Sequence, residues 1–304
     1  MRILRTLTEL ATEKSPVYLA VGVFDGVHLG HQRVITQARN AAQQATGISV
    51  ALTFDPHPIR VLRPDQAPVL LTSTAHKLAL IQQLGVDAVV LINFDNVFAT
   101  IPAENFIEQI AFCRHVCVGT RFHFGHNRTG GSALLEKLAP RYGFTVTEIK
   151  PVLTPDGEMI SSTAIRQHVL TGNLDRAAGM LGRPFSILGT VEKGDGVGRQ
   201  LGFPTANLNS HHEAFPPDGV YATRVIVAGQ TFTGVINLGR RPTFAGRSHQ
   251  RVLEVHILDF DRDIYGQEIE IIFNRKLRDE QKFDSVVALQ KQIATDIATA
   301  RSLR

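Results

Sequence analysis

The sequence is poor in cysteine, and this absence narrows the class of protein. Its 304 residues contain two cysteines, Cys113 and Cys117, and no tryptophan. Two cysteines are too few for a disulfide framework, and this pair does not form a CxxC motif. We therefore expect both to be small buried side chains of a protein in the reducing cytoplasm.

Long apolar runs and blocks of like charge are also missing. No apolar stretch approaches the roughly 18 residues of a membrane span, and the first residues do not resemble a signal peptide. The formal charge is +4 and the pI about 9.2, but the basic residues are scattered. A nucleic-acid-binding protein is one interpretation of that pI. We prefer sites for phosphate-rich ligands, which explain the same mild excess.

The first half of the chain alternates strand-like and helix-like segments. Apolar runs predict strands at Val17–Phe24, Ile48–Phe54 and Ala88–Phe94, and helices are expected over His31–Ala45, Ser73–Leu84 and Ile101–Ala111. This rhythm predicts a parallel sheet covered by helices on both faces. Ligands bind such sheets beyond the carboxyl ends of the strands, where the turn after the first run would lie.

The pattern changes in the second half. Two short helices are expected, Thr163–Leu170 and Leu174–Leu181. Five β-rich runs follow: Ile187–Val191, Val220–Val227, Phe232–Leu238, Leu253–Leu258 and Glu268–Phe273. They predict an antiparallel barrel or sandwich, closed by a helix near Ser285–Arg304. We place the domain boundary near Gly182–Arg183, which gives domains 1–183 and 184–304.

The segment Val21–His31, VGVFDGVHLGH, carries the clearest chemical signal. A buried strand turns through glycines into a helix whose start holds His28 and His31. Free backbone N–H groups at a helix N-terminus attract anions, and the spacing of three puts both imidazoles on one face. An isolated HxxH would more often be a metal site or a structural pair. The strand–glycine–helix context favours phosphate binding instead.

This segment resembles the nucleotidyltransferases that use an HxGH motif. Together with Thr53–Pro58, TFDPHP, and Ile160–Arg166, ISSTAIR, it resembles the prokaryotic bifunctional riboflavin kinases/FAD synthetases. The resemblance implies a Rossmann-like nucleotidyltransferase domain in which the two histidines contact ATP phosphates. It also implies catalysis by alignment, Mg²⁺ and charge neutralisation, with FMN attacking the α-phosphorus of ATP directly.

The same resemblance assigns further residues of the N-terminal site. It implies that Arg166 and the Ser161–Thr163 turn bind ATP phosphates, with Ser162 expected as a helix cap. Nucleotide contacts are expected at Gly22, Phe24, Asp25, Gly30, Ser161, Ser162 and Thr163. Flavin contacts are expected at Phe54, His57, Arg121 and Phe122. Asp25 could either accept a ligand hydroxyl or fix the turn.

One segment departs from the family pattern. In Val118–Gly131 an arginine, Arg121, stands where Asp or Asn is usual, His123 replaces Arg, and Gly131 replaces Asp. A charge reversal at a ligand-facing position is not conservative. It supports an alternative, a riboflavin kinase whose N-terminal module is impaired or regulatory. A metal site at His123 and His126 is disfavoured, because no Cys or carboxylate cluster accompanies them.

The second chemical segment is Gly194–Asn207, GDGVGRQLGFPTAN. Its glycines alone would indicate a flexible hairpin, but a glycine-rich backbone can also surround phosphates. Thr205 and Asn207 are two residues apart, so both face one side of a strand, and their oxygens suit Mg²⁺. The segment resembles the GxxxGxPTAN signature of riboflavin kinases. That implies nucleotide contacts at Gly194, Gly198, Thr205 and Asn207, with Mg²⁺ held by the last two.

Further matches to the riboflavin kinases follow in order along the chain, at Pro217–Tyr221, Asn237–Phe244, Leu253–Phe260 and Leu277–Phe283. The resemblance implies an antiparallel barrel for this half. Glu254 interrupts an apolar strand, so it either faces solvent on an edge strand or faces a cavity. The resemblance implies the second, with Glu254 as the base for the riboflavin hydroxyl. Arg278 and Phe283 either contact flavin or anchor the last helix.

The resemblance therefore implies an enzyme that phosphorylates riboflavin to FMN and adenylylates FMN to FAD. Its partners would be riboflavin, FMN and ATP, with no nucleic acid and no membrane. Another phosphate acceptor, as in pantetheine-phosphate or nicotinate-mononucleotide enzymes, is the main alternative for the first half. The kinase-like second half argues against it, because the two coupled steps share a flavin.

Overall fold

The computed structural model describes residues 1–194, 196–211, 214–241 and 250–303. They form two compact units, residues 1–70 with 74–164 and residues 71–73 with 165–304. This division falls between Ala164 and Ile165, and the domain boundary near Gly182–Arg183 stays a prediction. Pro242–Phe244 and Asp195, which belong to two of the matched motifs, lie outside the described residues. Within the described ranges, no helix has the length and apolarity needed to cross a membrane.

The first unit is an α/β structure. Its strands are β1 (Arg2–Leu4), β2 (Val17–Val21), β3 (Ile48–Asp55), β4 (Ala88–Asn93), β5 (His115–Gly119) and β6 (Thr145–Ile149). Its helices are α1 (Leu7–Ala11), α2 (Leu29–Gln44), α3 (Pro58–Leu62), α4 (Thr74–Gln83), α5 (Asn96–Ala99), α6 (Ala103–Gln109) and α7 (Ser132–Tyr142). Short 3-10 turns occur at Pro64–Gln66 and His126–Arg128.

The sheet has the order β1-β4-β3-β2-β5-β6, and every neighbouring pair is parallel. This confirms the predicted parallel sheet. From β2 the chain continues to β3 and β4 on one side, whereas β5 and β6 lie on the other. The carboxyl end of β2 is therefore the switch point of the sheet, where ligands of open α/β folds bind. The loop between β2 and α2 lies at this position.

Two cores cover the faces of the sheet because its side chains alternate. Leu19 and Leu52 belong to one core, and their neighbours Ala20 and Ala51 belong to the other. The small residues on the second face make room for α2, which contributes the predicted face of Val34, Ile35 and Ala38. Burial on both faces explains why these strands are apolar runs rather than alternating ones. The packing fixes the start of α2 at the end of β2.

One predicted helix start is displaced. We expected Pro102 in the first turn of a helix over Ile101–Ala111, but it is the N-cap of the shorter helix α6. The Ile101 amide instead donates to the Phe98 carbonyl, at 3.2 Å, and closes the turn after α5. The residues before Pro102 therefore form the separate short helix α5, and α6 begins only at Ala103.

The second unit is a barrel with helices. Its strands are β7 (Ser186–Glu192), β8 (Ala206–Ser210), β9 (Gly219–Val227), β10 (Gln230–Arg241), β11 (Gln250–Ile257) and β12 (Glu268–Arg278). Its helices are α9 (Leu174–Leu181), α10 (Val197–Gln200) and α11 (Val286–Ser302), and α8 (Ser162–Leu170) begins in the first unit and ends in this one.

The six strands close into a barrel in the order β10-β11-β8-β7-β12-β9, with antiparallel pairing throughout. The prediction of a barrel or sandwich is therefore confirmed as a barrel. Helix α11 is capped by Ser285, whose Oγ accepts from the Ala288 amide at 3.1 Å. Ala300 of α11 packs with Val220 and Ala222 of β9, so the predicted terminal helix lies against the barrel.

Candidate active sites

The start of α2 brings the two predicted histidines together. The His28 and His31 rings stack with their centroids 3.6 Å apart, which confirms that they lie side by side. His28 is the N-cap of α2, and its Nδ1 accepts from the amides of Gly30, at 3.1 Å, and His31, at 3.3 Å. Our expectation that these amides are free for an anion was wrong, because the imidazole caps them.

This cap fixes the chemistry of His28. A ring nitrogen that accepts two N–H groups carries no proton, so in the neutral ring the proton is on Nε2. His28 is thereby prepared to donate from Nε2. The helix start would offer a ligand an imidazole N–H in place of the two backbone amides that it caps.

His31 is held neutral by its surroundings. Burial, followed by the neighbouring His28 and Lys77, lowers the pKa of His31 well below its usual value. Its Nδ1 is buried, and within the described residues it has no hydrogen-bond partner. Buried polar atoms without partners are rare and mark positions that need a functional explanation.

The loop before α2 is tied to the start of α8. Ser162 Oγ donates to the Asp25 carbonyl at 2.8 Å, and the Asp25 side chain is buried. Gly22 follows β2, and its amide donates to the Leu52 carbonyl at 3.1 Å. Phe24 is fully buried and packs edge-on against His31, with centroids 5.3 Å apart. Any contact of Phe24 with a nucleotide would therefore come from its main chain.

The helix cap of α8 differs from our prediction by one residue. We expected Ser162, but Ser161 Oγ accepts from the Ala164 amide at 3.2 Å. The Ser162 hydroxyl is engaged with Asp25 instead. Thr163 is exposed, and Arg166 follows in the second unit. The roles of Thr163 and Arg166 in phosphate binding stay predictions.

The expected flavin residues of the first unit have different surroundings. Phe54 is buried and packs edge-on against Phe94, with centroids 5.6 Å apart. His57 caps α3 through Nδ1, which accepts from Ile59 N at 3.2 Å. Phe122 stacks on Phe124 at 5.6 Å, whereas Arg121 is exposed, with Nη1 3.3 Å from Met159 Sδ. Their contacts with flavin stay predictions.

Sequence reasoning missed Lys77 of α4. This lysine is 6% exposed, and its Nζ donates to the Phe54 carbonyl at 2.8 Å and to the Val23 carbonyl at 3.5 Å. Burial lowers the pKa of Lys77 to about 8, partly opposed by Asp25 and Asp55. The signal was available, because Lys77 lies three and four residues before Leu80 and Ile81, on the buried face of the helix.

The barrel contains a cavity of about 390 Å³, a size typical of small-molecule sites. Its lining includes six residues expected for the kinase site: Gly198, Thr205, Asn207, Glu254, Arg278 and Phe283. They come from separate stretches of sequence, and the fold brings them to one surface. Gly194 is the one residue expected for the kinase site that does not line the cavity. It is exposed and packs against Asn207.

Glu254 faces this cavity. It lies on β11, which pairs with β10 and β8, and its register partners are Asn237 and Asn207. Strand β11 is therefore inside the closed barrel and not at an edge. The interpretation of Glu254 as a solvent-facing residue of an edge strand does not hold, and the half-buried carboxylate lies beside Asn207 at the cavity.

The glycines of the Gly194–Asn207 segment make room for the protein's own side chains. A Cβ at Gly198 would lie 2.5 Å from the Phe203 carbonyl and 2.8 Å from Thr205 Oγ1. A Cβ at Gly194 would overlap the Asn207 amide. Both glycines therefore allow the backbone to lie against the two polar residues expected to bind metal and nucleotide.

Arg278 joins the last helix to the cavity. Its Nε and Nη2 bond the Asp296 carboxylate at 3.0 and 2.9 Å, and its guanidinium lies 5.6 Å from the Phe283 ring centroid. Gln292 donates to the same carboxylate at 2.9 Å. Arg278 thus anchors α11 and also lines the cavity. The expected role as an anchor of the last helix is therefore met, and flavin contact stays a prediction.

His256 is a second residue that sequence reasoning missed. It lines the cavity two residues after Glu254, and its Nδ1 lies 2.7 Å from the Pro204 carbonyl. A carbonyl can only accept, so Nδ1 carries the proton and Nε2 is left as an acceptor. The bond holds the start of the Thr205–Asn207 stretch against β11.

The described residues contain no clustered metal site of histidine, cysteine and carboxylate side chains. Among the described residues, no group of three or more His, Cys, Asp and Glu is arranged to hold an ion. His126 has its Nδ1 3.4 Å from the Ala99 carbonyl. Thr205, Asn207 and Glu254 are among the side-chain oxygen donors that line the barrel cavity, together with Asn237, Glu280, Gln281 and Asp296.

Two family models match the two halves of the chain. A family model described as FAD synthetase matches residues 10–164, and one described as riboflavin kinase matches residues 181–304. The first match contains the start of α2, and the second contains the barrel cavity.

Curated relatives resemble the chain over its whole length. Bifunctional riboflavin kinase/FMN adenylyltransferase of Escherichia coli K12 is 38% identical over 99% of this chain and 97% of that protein. The Haemophilus influenzae protein of the same name is 37% identical over 99% of each. The Pseudomonas fluorescens protein is 38% identical over 100% of this chain and 98% of its own.

A solved structure also covers nearly the whole chain. It belongs to a protein described as a macrolide-efflux protein from Streptococcus pneumoniae, with a TM-score of 0.82 and 30% identity over 98% of both chains. Its name differs from those of the curated relatives, and the likeness supports a shared fold.

Proposed function

This chain belongs to the bifunctional riboflavin kinase/FMN adenylyltransferases, and we propose that it catalyses both steps of FAD synthesis. The barrel would phosphorylate riboflavin to FMN with ATP. The first unit would transfer the adenylyl group of a second ATP to FMN, releasing pyrophosphate. The observation that carries this proposal is the barrel cavity, where the fold brings together six residues expected for a kinase site.

In the kinase step, we assign Glu254 as the general base. Its half-buried carboxylate faces a cavity large enough for a small molecule. It would take the proton of the riboflavin 5′-hydroxyl as that oxygen attacks the γ-phosphorus of ATP. The bond from the γ-phosphorus to the bridging oxygen breaks, and ADP leaves. Gly194 and Gly198 would border the phosphates.

The donor set of the cavity fits Mg²⁺. Mg²⁺ takes few protein oxygens together with substrate phosphates, and Thr205 and Asn207 both supply such oxygens to the lining of one cavity. We propose that these two residues hold the ion, which would neutralise phosphate charge during transfer. Arg278 and Phe283 would position the flavin ring from the same lining.

In the adenylyl step, a phosphate oxygen of FMN would attack the α-phosphorus of ATP. The bond from that phosphorus to the pyrophosphate oxygen breaks, without a covalent enzyme intermediate. His28 would donate from Nε2 to the phosphates, beside His31. Arg166 and the Ser161–Thr163 turn would supply further donors. The main chain at Gly22, Phe24, Asp25 and Gly30 would shape the nucleotide pocket.

Flavin in the first unit would contact Phe54, His57, Arg121 and Phe122. Arg121 is the feature that supports a second candidate function, a kinase with an impaired or regulatory N-terminal module. Its exposed guanidinium reverses the charge usual at this position and could weaken the placing of FMN. We also propose a cytoplasmic location, supported by two buried, unpaired thiols.

Incubation of the purified protein with riboflavin, ATP and Mg²⁺, followed by chromatography of the flavins, tests the proposal. We expect FMN to appear first and FAD to follow, and both to be lost with excess EDTA. FMN without FAD would favour the impaired module. Formation of neither flavin would contradict the assignment.

A further inference from the structure

Lys77 is a buried cation beside the adenylyl site that the proposed mechanism does not use. Its side chain is 6% exposed, although lysine is almost never fully buried without partners. The ammonium donates to two main-chain carbonyls, at 2.8 Å to Phe54 and at 3.5 Å to Val23. Retaining a charge in such a place carries a desolvation cost, which calls for an explanation beyond packing.

The two carbonyls belong to different elements, a loop and a strand end. Val23 lies between β2 and the start of α2, and Phe54 lies at the end of β3. The Val23 carbonyl also accepts from Thr53 Oγ1 at 2.8 Å. Lys77 therefore connects the loop that carries Phe24 and Asp25 to the neighbouring strand end, on the side where the switch point of the sheet lies.

The charges around Lys77 come from three elements besides its own helix. Asp25 lies in the loop after β2 and Asp55 at the end of β3, and both act to keep the ammonium charged. His31 of α2 is close enough for Lys77 to disfavour its protonation. His76 is the buried neighbour on α4. The ammonium thus adds a nearly buried positive charge close to His31.

We propose that Lys77 is a positioning residue for adenylyl transfer, whose ammonium fixes the Val23 and Phe54 carbonyls and thereby the loop that leads into the His28–His31 pair. This inference rests on the proposed adenylyl site. Loss of the ammonium would remove this donor from the Phe54 carbonyl and leave the Val23 carbonyl with Thr53 Oγ1, so that the link between the loop and β3 is weakened and the loop can shift. Small misplacements at an active site lower rates by roughly 100-fold.

The test uses Lys77→Met, which keeps a side chain of similar length without the charge. We expect kcat/KM for ATP in FAD formation from FMN to fall roughly 10- to 100-fold, while riboflavin phosphorylation by the same protein is unchanged. Arg39→Met is the matched control, because Arg39 Nη1 also donates to a main-chain carbonyl, that of Leu84 at 2.8 Å. It should leave FAD formation at the wild-type rate.

The pH profile separates positioning from packing. In the wild type, kcat/KM for FAD formation should fall above pH about 8, where the ammonium loses its proton, relative to the kinase reaction. Lys77→Met should lack this fall. The wild-type profile stands as a test even if the variant unfolds, as thermal melting would reveal.

Two results would overturn the inference. One is a folded Lys77→Met protein that forms FAD within threefold of the wild-type rate. The other is a wild-type profile in which FAD formation follows the kinase reaction unchanged from pH 7 to 9.5. If instead the wild type forms no FAD from FMN, the proposed function fails and not this inference alone.

Discussion

The start of α2 and the barrel cavity, the two sites proposed to bind phosphates, arrange their polar groups in opposite ways. At the start of α2 the polar groups are bonded to each other, since His28 caps the amides of Gly30 and His31. In the barrel, Thr205, Asn207 and Glu254 line an open cavity of about 390 Å³. Where polar groups of a site hydrogen-bond each other, a substitution that removes one of them should lower both the activity and the stability of the protein. At the cavity, an exchange that keeps the size of the side chain, such as Glu254→Gln, should have little effect on the fold.

The largest expected effect is at Glu254. Glu254→Gln should lower kcat of riboflavin phosphorylation by about 10²- to 10⁴-fold, because general-base catalysis by a positioned carboxylate contributes that much. Adenylylation of supplied FMN should stay at the wild-type rate, and the melting temperature should be unchanged. Steady-state kinetics of each step check this. Near wild-type phosphorylation would remove Glu254 as the base.

At His28, unlike at Glu254, one substitution should lower both the rate of catalysis and the stability of the protein. His28→Ala and His28→Asn both remove the Nε2 donor, so each should slow FAD formation from FMN by about 10²- to 10³-fold, the cost of one lost charge-stabilising donor. Asn can still cap the helix, whereas Ala cannot, so His28→Ala alone should lose about 1 kcal/mol of unfolding free energy.

Urea titration and single-turnover kinetics separate these two losses at His28. Equal stability of both variants would show that the cap contributes nothing to the fold. FAD formation by His28→Asn at the wild-type rate would show that the imidazole serves the helix and not the nucleotide. Either result would make the two sites more alike than the structure indicates.

The two serines at the start of α8 give a smaller effect. Ser161→Ala should lower the free energy of unfolding by about 1 kcal/mol, because Ser161 Oγ caps the helix. Ser162→Ala should instead lower the rate of adenylylation, because the Ser162 hydroxyl donates to the Asp25 carbonyl and holds the loop before α2. Urea denaturation and FAD assays measure both. If Ser162→Ala were destabilised and Ser161→Ala were not, Ser162 and not Ser161 would be the helix cap.

The smallest effect is expected at the cysteines. Burial raises the pKa of both Cys113 and Cys117 to about 12, and a protonated thiol is a poor nucleophile. The native protein should therefore not react with a thiol reagent at pH 8, and both activities should persist. After unfolding, two thiols should be titrated. Rapid reaction of the native protein would contradict the burial of these residues.

The sequence was informative where signals are local. The alternation of apolar runs and helices in the first half predicted the parallel sheet, and the β-rich runs after Gly182 predicted a barrel or sandwich, because side-chain periodicity reports the burial of each element. Closure into a barrel depends on β9 pairing with both β10 and β12, which periodicity does not specify. The three-residue strand β1 was missed because it is too short to show a pattern.

The details of the sites depended on geometry that residue types do not contain. Ser161 and Ser162 are equally good caps by type, and one residue of register decided between them. A histidine as helix cap was unexpected, because capping is usually done by Ser, Thr, Asp or Asn. Lys77 was missed because a single lysine in a helix is normally solvated, and its burial follows from the packing of α4 on the sheet.

Complementation between two variants tests the central claim, two separate ATP sites in one chain, most directly. Glu254→Gln and His28→Asn would be supplied with riboflavin, ATP and Mg²⁺, first singly and then mixed. We predict no FMN or FAD from the first, FMN alone from the second, and FAD from the mixture. If folded Glu254→Gln failed to form FAD from supplied FMN, if folded His28→Asn formed no FMN, or if the mixture formed no FAD, the account of two independent sites would be contradicted.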